Sequence, residues 1–292
     1  MKVGILGLGR IGRAVAANLL ADGFAVSAVD RPSARDFALT GAPAANAAAL
    51  AAANNIVISC LAAEEQMTDA FLAAGGLVEG AHAGLVVIEM GTFPIALKRR
   101  LADALAARGA AMLDCPISGT PPVVAKREAM LFVSGDIGPI ERCAPVLRSI
   151  SARQVNVGAF GCGMATKLVT NFLVILNTMA LAEAFVLGRE SGLDPELMIE
   201  AIGNSFAGSR VFDFRAPILA ARRYQPAPGP ARIVWKDLNY IREHSAALGV
   251  AGPLLDTAME WYGRMIEAGH GEDECAGVYE ILAAATDPAR RS

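Results

Sequence analysis

Short runs of consecutive apolar residues punctuate the first half of the chain, with alanine- and leucine-rich stretches between them. Lys2–Leu6, Ala25–Val29, Ile56–Cys60, Leu85–Glu89, Met112–Cys115 and Met130–Ser134 read as strands. Several contain continuous apolar runs, such as Ile56–Ile58, Leu85–Ile88 and Met130–Val133, as expected of parallel strands covered on both faces. Helices are expected between them, notably at Ile11–Ala21 and Ile95–Ala107. Strands alternating with helices predict βαβ units and an open, doubly wound α/β sheet over residues 1–163. The alanine-rich segment Ala42–Asn55 reads as helix and loop rather than linker.

The pattern changes after Gly158-Ala159-Phe160-Gly161-Cys162-Gly163. From Met164 to about Ser191 the only helix breaker is Gly188, which predicts one helix of roughly 28 residues, or ~40 Å. Asp194-Pro195-Glu196 reads as an N-cap followed by proline at the first helical position. Further helices are expected at Phe212–Ala221, Lys236–Leu248, Pro253–Ala268 and Asp273–Ala284, so residues 164–292 form an all-α domain joined to the sheet domain by the long helix. Leu168, Phe172, Ile175 and Met179, together with Val169, Leu173, Leu176 and Phe185, spread over more than one stripe of that helix. It must therefore be covered on most sides, which points to a homodimer or homotetramer. The apolar run Leu168–Leu187 contains Thr170, Asn171, Asn177 and Glu183, and so reads as a buried soluble helix rather than a membrane span.

Composition supports a large core and narrows the partners. Of the 292 residues 54% are hydrophobic and 19% charged, and the net charge is −3 without a block of like charges. No basic face for nucleic acid or anionic lipid is expected. Five cysteines, an odd number without a CxxC pair, fit a reducing compartment such as the cytoplasm. His82, His244 and His270 are too far apart for a zinc cluster, and no metal is expected. The opening Met1–Gly7 is broken by glycines and soon meets Arg10 and Arg13, so it reads as strand and turn rather than signal peptide.

Three motifs carry chemistry. Gly7-Leu8-Gly9-Arg10-Ile11-Gly12 follows a strand and opens a helix. Gly7 permits a tight turn, Gly9 lets a pyrophosphate approach the backbone, and Gly12 allows close helix–strand packing. The next strand ends at Asp30, where a carboxylate meets ribose hydroxyls and repels the 2′-phosphate of NADP. NAD is therefore favoured, with NADP the alternative because Arg31 can pair with that phosphate; a solvated surface role for Arg31 is equally consistent. Asp114-Cys115-Pro116-Ile117-Ser118-Gly119-Thr120-Pro121 follows a strand, where open α/β sheets bind ligands. A hydroxyl and successive N–H groups there make a small anion pocket, although a plain Pro/Gly turn has the same residues. Lys167 and Asn171, four apart, share a helix face. A lysine in the first turn opposes the helix dipole, which lowers its pKa toward a useful value; an ordinary exposed lysine is the bland alternative.

Together the motifs resemble the β-hydroxyacid dehydrogenase family. Gly7–Gly12 with Asn18-Leu19 is similar to its GLGxMGxxMAxNL start, Asp114–Gly119 to its DAPVSG motif, Gly163–Asn171 to its GxxxKxxxN motif and Lys236-Asp237-Leu238 to its KDL motif. The resemblance implies that Lys167 is the catalytic acid/base, and that Ser118, Gly119 and Asn171, with Thr120, hold the substrate carboxylate and hydroxyl. It places Leu61, Thr92 of Met90-Gly91-Thr92, and Lys236 beside the cofactor.

There are departures. Thr120 stands where a second glycine is usual, and its Cβ is expected to alter the carboxylate pocket. Gly91 replaces a serine, and the phenylalanine common before KDL is missing from Ala231–Trp235. The implied reaction is reversible oxidation of a small 3-hydroxy acid to its semialdehyde or keto acid. A reductase of another carbonyl or imine is the rival enzyme, and a non-catalytic dinucleotide-binding protein the rival outside catalysis.

Overall fold

The computed structural model describes residues 1–29, 39–41 and 43–286. Asp30 and Arg31, the residues expected to choose between NAD and NADP, lie outside them. Two compact units are present, Met1–Lys167 and Leu168–Ser292.

The first unit is built on an eight-stranded sheet: β1 Lys2–Leu6, β2 Ala25–Ala28, β3 Ile56–Ser59, β4 Val86–Glu89, β5 Ala111–Asp114, β6 Ile117–Ser118, β7 Met130–Ser134 and β8 Arg153–Gly158. The order is β2-β1-β3-β4-β5-β7-β6, with β8 added on β7. The first five strands pair in parallel, whereas β7 runs antiparallel to β5 and β6. The interleaved helices are α1 Arg10–Ala21, α2 Ala47–Ala53, α3 Glu64–Leu72, α4 Ile95–Ala106, α5 Pro121–Ala125 and α6 Ile137–Ile150. Strand alternation divides the apolar residues between two cores. Ile56, Ile58, Val86 and Ile88 pack with Val15 and Leu19 of α1 on one face. Val57 and Val87 pack with Leu50, Phe71, Leu101 and Leu105 on the other. The sheet is thus doubly wound, as the sequence predicts.

Two strands escape the sequence reading. β6 has only two residues, and β8 is polar and mostly exposed. β8 is held by its parallel ladder to β7, and its apolar alternation is limited to Val155 and Val157.

α7 Cys162–Glu190 is the long helix. It starts two residues before the expected Met164. Position 163 has to be glycine, because a Cβ there would stand 2.4 Å from the Asp114 carbonyl oxygen, and its N–H docks the helix start on the sheet by donating to Ser134 Oγ at 2.9 Å. Lys167 therefore falls in the second turn, not the first. The dipole field fades within the first turn, and the dipole argument for this lysine loses most of its force. By length and composition α7 could cross a membrane. Its Thr178 hydroxyl accepts a hydrogen bond of 2.8 Å from Arg215 Nη1. Val169, Leu173 and Leu187 stay exposed, so within one chain the helix is less covered than its composition predicts.

The second unit contains the rest of α7 with α8 Pro195–Gly203, α9 Arg210–Ala221, α10 Ala231–Ala247, α11 Pro253–Glu267 and α12 Val278–Thr286. The Asp194 carboxylate caps α8 by accepting from the N–H groups of Glu196 and Leu197, as expected. Among the described residues no strand occurs beyond β8; a single bridge joins Pro230 and Glu274.

Candidate active site

The chain switches direction across the sheet at β1, which lies between β2 and β3. Ligands of open α/β sheets bind outside the carboxyl ends of strands at such a point. A cavity of about 230 Å³ opens there, lined by Leu6–Gly9, Val29, Cys60 and Leu61 among others. Gly7 has φ +101°, a conformation that favours glycine. A Cβ on Gly12 would lie 2.0 Å from the Gly7 carbonyl oxygen, whereas one on Gly9 would meet nothing within 4 Å. The three glycines therefore act differently: Gly7 turns, Gly12 packs, and Gly9 leaves space. Gly9 is the N-cap of α1 and brings no side-chain cap, so the first N–H groups of α1 suit an anion. This cradle fits the pyrophosphate of a nicotinamide dinucleotide. Arg10 is exposed, while Ile11 is partly buried against the core. Asn18 ties α1 to α5 by donating 2.8 Å to the Val124 carbonyl.

Cys60 lies beside the cavity, and burial pushes its thiol up to about 12. That shift disfavours the thiolate, the reactive form of a cysteine.

Ser118 ends β6 opposite Met130 and is followed by Gly119 and Thr120. A Cβ on Gly119 would approach Ala129 Cβ to 2.7 Å, which keeps this position small. Thr120 caps α5 at φ −81°, ψ 162°, an extended backbone open to any residue. The threonine departure thus demands no glycine conformation. The Gly91 departure has a steric cause: a Cβ there would lie 2.2 Å from the Phe93 ring and 2.8 Å from Glu89 Oε1. Thr92 follows in the same loop, beyond the end of β4.

Lys167 is buried, at 9% exposure. Four residues on, the Asn171 amide nitrogen donates to Asp237 Oδ2 at 2.7 Å. Lys236 Nζ stands 3.3 Å from Asp237 Oδ1 and over the Tyr240 ring. Asp237 thus joins two predicted site residues, Asn171 and Lys236, and the sequence reading gave it no role. Its signal was its place within Lys236-Asp237-Leu238.

A further cluster was not foreseen. Lys98 Nζ, fully buried on α4, stands 2.5 Å from Glu89 Oε2 and 2.7 Å from Asp114 Oδ1. Burial raises the Glu89 pKa above its usual range; the Lys98 ammonium only partly counters this. For Lys98 burial acts downward, but the two carboxylates outweigh it and hold the ammonium above its ordinary value. Among the described residues no cluster could hold a metal, and all five cysteines are unpaired.

Fold and glycine cradle together define a protein of the dinucleotide-binding class. The pattern of the NAD-binding domain of 6-phosphogluconate dehydrogenase matches residues 2–161. That described as the NAD-binding region of NADP-dependent 3-hydroxyisobutyrate dehydrogenase matches residues 161–282. The chain is 30% identical to L-threonate dehydrogenase of Cupriavidus necator, over 96% of each protein. It is 34% identical to 2-(hydroxymethyl)glutarate dehydrogenase of Eubacterium barkeri, over 70% of this chain and 69% of that protein. The crystal structure of 3-hydroxyisobutyrate dehydrogenase from Salmonella typhimurium superposes with a TM-score of 0.85 at 25% identity, covering 96% of this chain and 99% of the other. The chain belongs to the β-hydroxyacid dehydrogenase family and is an NAD(P)-dependent dehydrogenase acting on hydroxyl groups.

Proposed function

We propose that the enzyme reversibly oxidises a small 3-hydroxy acid to its semialdehyde or keto acid, with Lys167 as the acid/base. The observation that carries this reading is the 2.7 Å bond from Asn171 to Asp237, one helical turn past the buried Lys167. It uses one N–H of the Asn171 amide and sets the orientation of the group, with the amide oxygen as an acceptor for the lysine or the substrate hydroxyl.

The bound nicotinamide supplies the hydride acceptor or donor. Gly7, Leu8, Gly9, the α1 N-terminus and Leu61 hold the dinucleotide, with Thr92 and Lys236 beside it. Ser118 and the N–H groups of Gly119 and Thr120 bind the carboxylate. Pro121 and Pro122 have no N–H, and those of Val123 and Val124 are taken by the Thr120 carbonyl, so backbone donors at this turn must come from Gly119 and Thr120. Lys167 takes the hydroxyl proton on oxidation and returns it on reduction, a role worth typically ~10²–10⁴-fold.

NAD is the preferred cofactor on the strength of Asp30. The exposed Val169, Leu173 and Leu187 of α7 support a homodimer or homotetramer, and a monomer by light scattering would contradict it. The weak net charge and the unpaired thiols support a cytoplasmic enzyme with no nucleic-acid or membrane partner. The test of the substrate reading is turnover of L-threonate, 2-(hydroxymethyl)glutarate and 3-hydroxyisobutyrate with each cofactor, against cyclic imines. Reduction of imines without oxidation of any acid would overturn it.

A further inference from the structure

Lys98 lies on the core stripe of α4, in line with the buried Leu101 and Leu105. A charged side chain there is costly unless fully partnered. Its partners, Glu89 and Asp114, are register neighbours at the carboxyl ends of the parallel strands β4 and β5. Each carboxylate divides its two oxygens in the same way. One oxygen meets the ammonium. The other accepts a backbone N–H from a segment the site needs: Glu89 Oε1 from Gly91 at 2.7 Å, and Asp114 Oδ2 from Met164 at 2.7 Å. Ser134 Oγ strengthens the second arm by donating to the Asp114 carbonyl and accepting from the Gly163 N–H, both at 2.9 Å.

We propose that Lys98 is a positioning residue, whose buried ammonium locks the Met90–Thr92 loop and the first turn of the Lys167 helix into one frame. Met164 is three residues before Lys167, and Thr92 is next to Gly91. Fixing the two N–H groups therefore fixes the spacing between the cofactor-side loop and the helix that carries the acid/base. Stability alone is a poor explanation for the cluster, because well-packed apolar replacements of buried ion pairs are often neutral or stabilising. This inference rests on the reading of Lys167 as acid/base.

The test is the double variant Lys98→Met with Glu89→Gln, which keeps side-chain volumes and leaves the net charge of the cluster unchanged. Amide exchange at residues 91–92 and 163–165 should speed up by roughly tenfold or more relative to the sheet core. Dinucleotide affinity, set by the glycine cradle, should stay within about threefold, whereas kcat should fall by roughly 10-fold to 10²-fold with KM little changed. Turnover is measured with whichever of the three hydroxy acids the unmodified enzyme oxidises fastest, well below the melting midpoint. A merely structural cluster would lower that midpoint and leave kcat of the folded enzyme intact; this result, or unchanged exchange at either segment, overturns the proposal. If the double variant does not fold, Glu89→Gln alone serves. It should loosen 91–92 but not 163–165, and equal effects on both or on neither would overturn the two-armed frame. Exchange is read without substrate, so it separates failure of the frame from failure of the Lys167 reading, which Lys167→Ala tests by itself.

Discussion

The Asn171 amide nitrogen and Asp237 Oδ2 are 2.7 Å apart, and this bond joins α7 to α10 within the helical unit. Hydrogen bonds to charged groups contribute about 1.5–3 kcal/mol, so Asp237→Ala should slow turnover by roughly tenfold or more. The effect should fall on kcat if the bond fixes the catalytic amide. A rise in KM alone would mean that Asp237 serves binding only.

Lys167→Ala should reduce turnover by roughly 10²-fold or more, the scale of a lost acid/base. Dinucleotide affinity, measured by calorimetry, should change little. Lys167→Arg should not rescue, because a guanidinium is effectively always protonated. Near-normal single-turnover rates in Lys167→Ala would remove this residue from the mechanism.

The glycine turn offers a paired test. A Cβ on Gly9 meets nothing, so Gly9→Ala should melt like the parent enzyme while binding NAD at least roughly tenfold more weakly. Gly12→Ala drives a Cβ into the Gly7 carbonyl and should weaken both folding and binding. Equal melting of the two variants would contradict the separate roles.

Gly91→Ser would restore the residue common in the family, yet it should destabilise by about 1–3 kcal/mol through overpacking against Phe93. Chemical denaturation measures this directly. An unchanged midpoint would show that the ring moves aside freely.

The second unit predicts a response to acid. Burial pushes the Glu280 carboxyl upward, but hydrogen bonds from Arg222 and Tyr224 prevail and hold it below its ordinary 4.5. A depressed carboxylate stabilises the fold above its unfolded pKa and loses that contribution as pH falls through the folded one. The melting gap between parent and Glu280→Gln should therefore be constant above about pH 4.5 and close below it. A gap that widens on acidification would reverse the assignment.

Much of this architecture was legible in the sequence because the central parallel strands β3 and β4 are buried on both faces and read as apolar runs that end in one polar residue, Ser59 or Glu89. β8 was not, since Arg153, Gln154 and Asn156 are polar edge positions set by pairing with β7. The start of α7 was misplaced because Gly163 enters the helix with its N–H on Ser134 Oγ, and no capping residue announces it. The glycine turn, Ser118 and Lys167 stood in recognisable motifs. Lys98 did not: a lysine on an amphipathic helix reads as a surface residue, and its alignment with Leu101 and Leu105 was the available sign.

The crowding at position 91 also shapes how this enzyme can be altered. Phe93 and Glu89 together occupy the volume that any side chain at 91 would need. A single substitution there meets the Phe93 ring and the Glu89 carboxylate before it reaches anything else. A library that recolours this loop must vary 91 and 93 jointly, shrinking the ring as it adds the side chain. Glu89 should be left in place so that its carboxylate still receives the loop N–H.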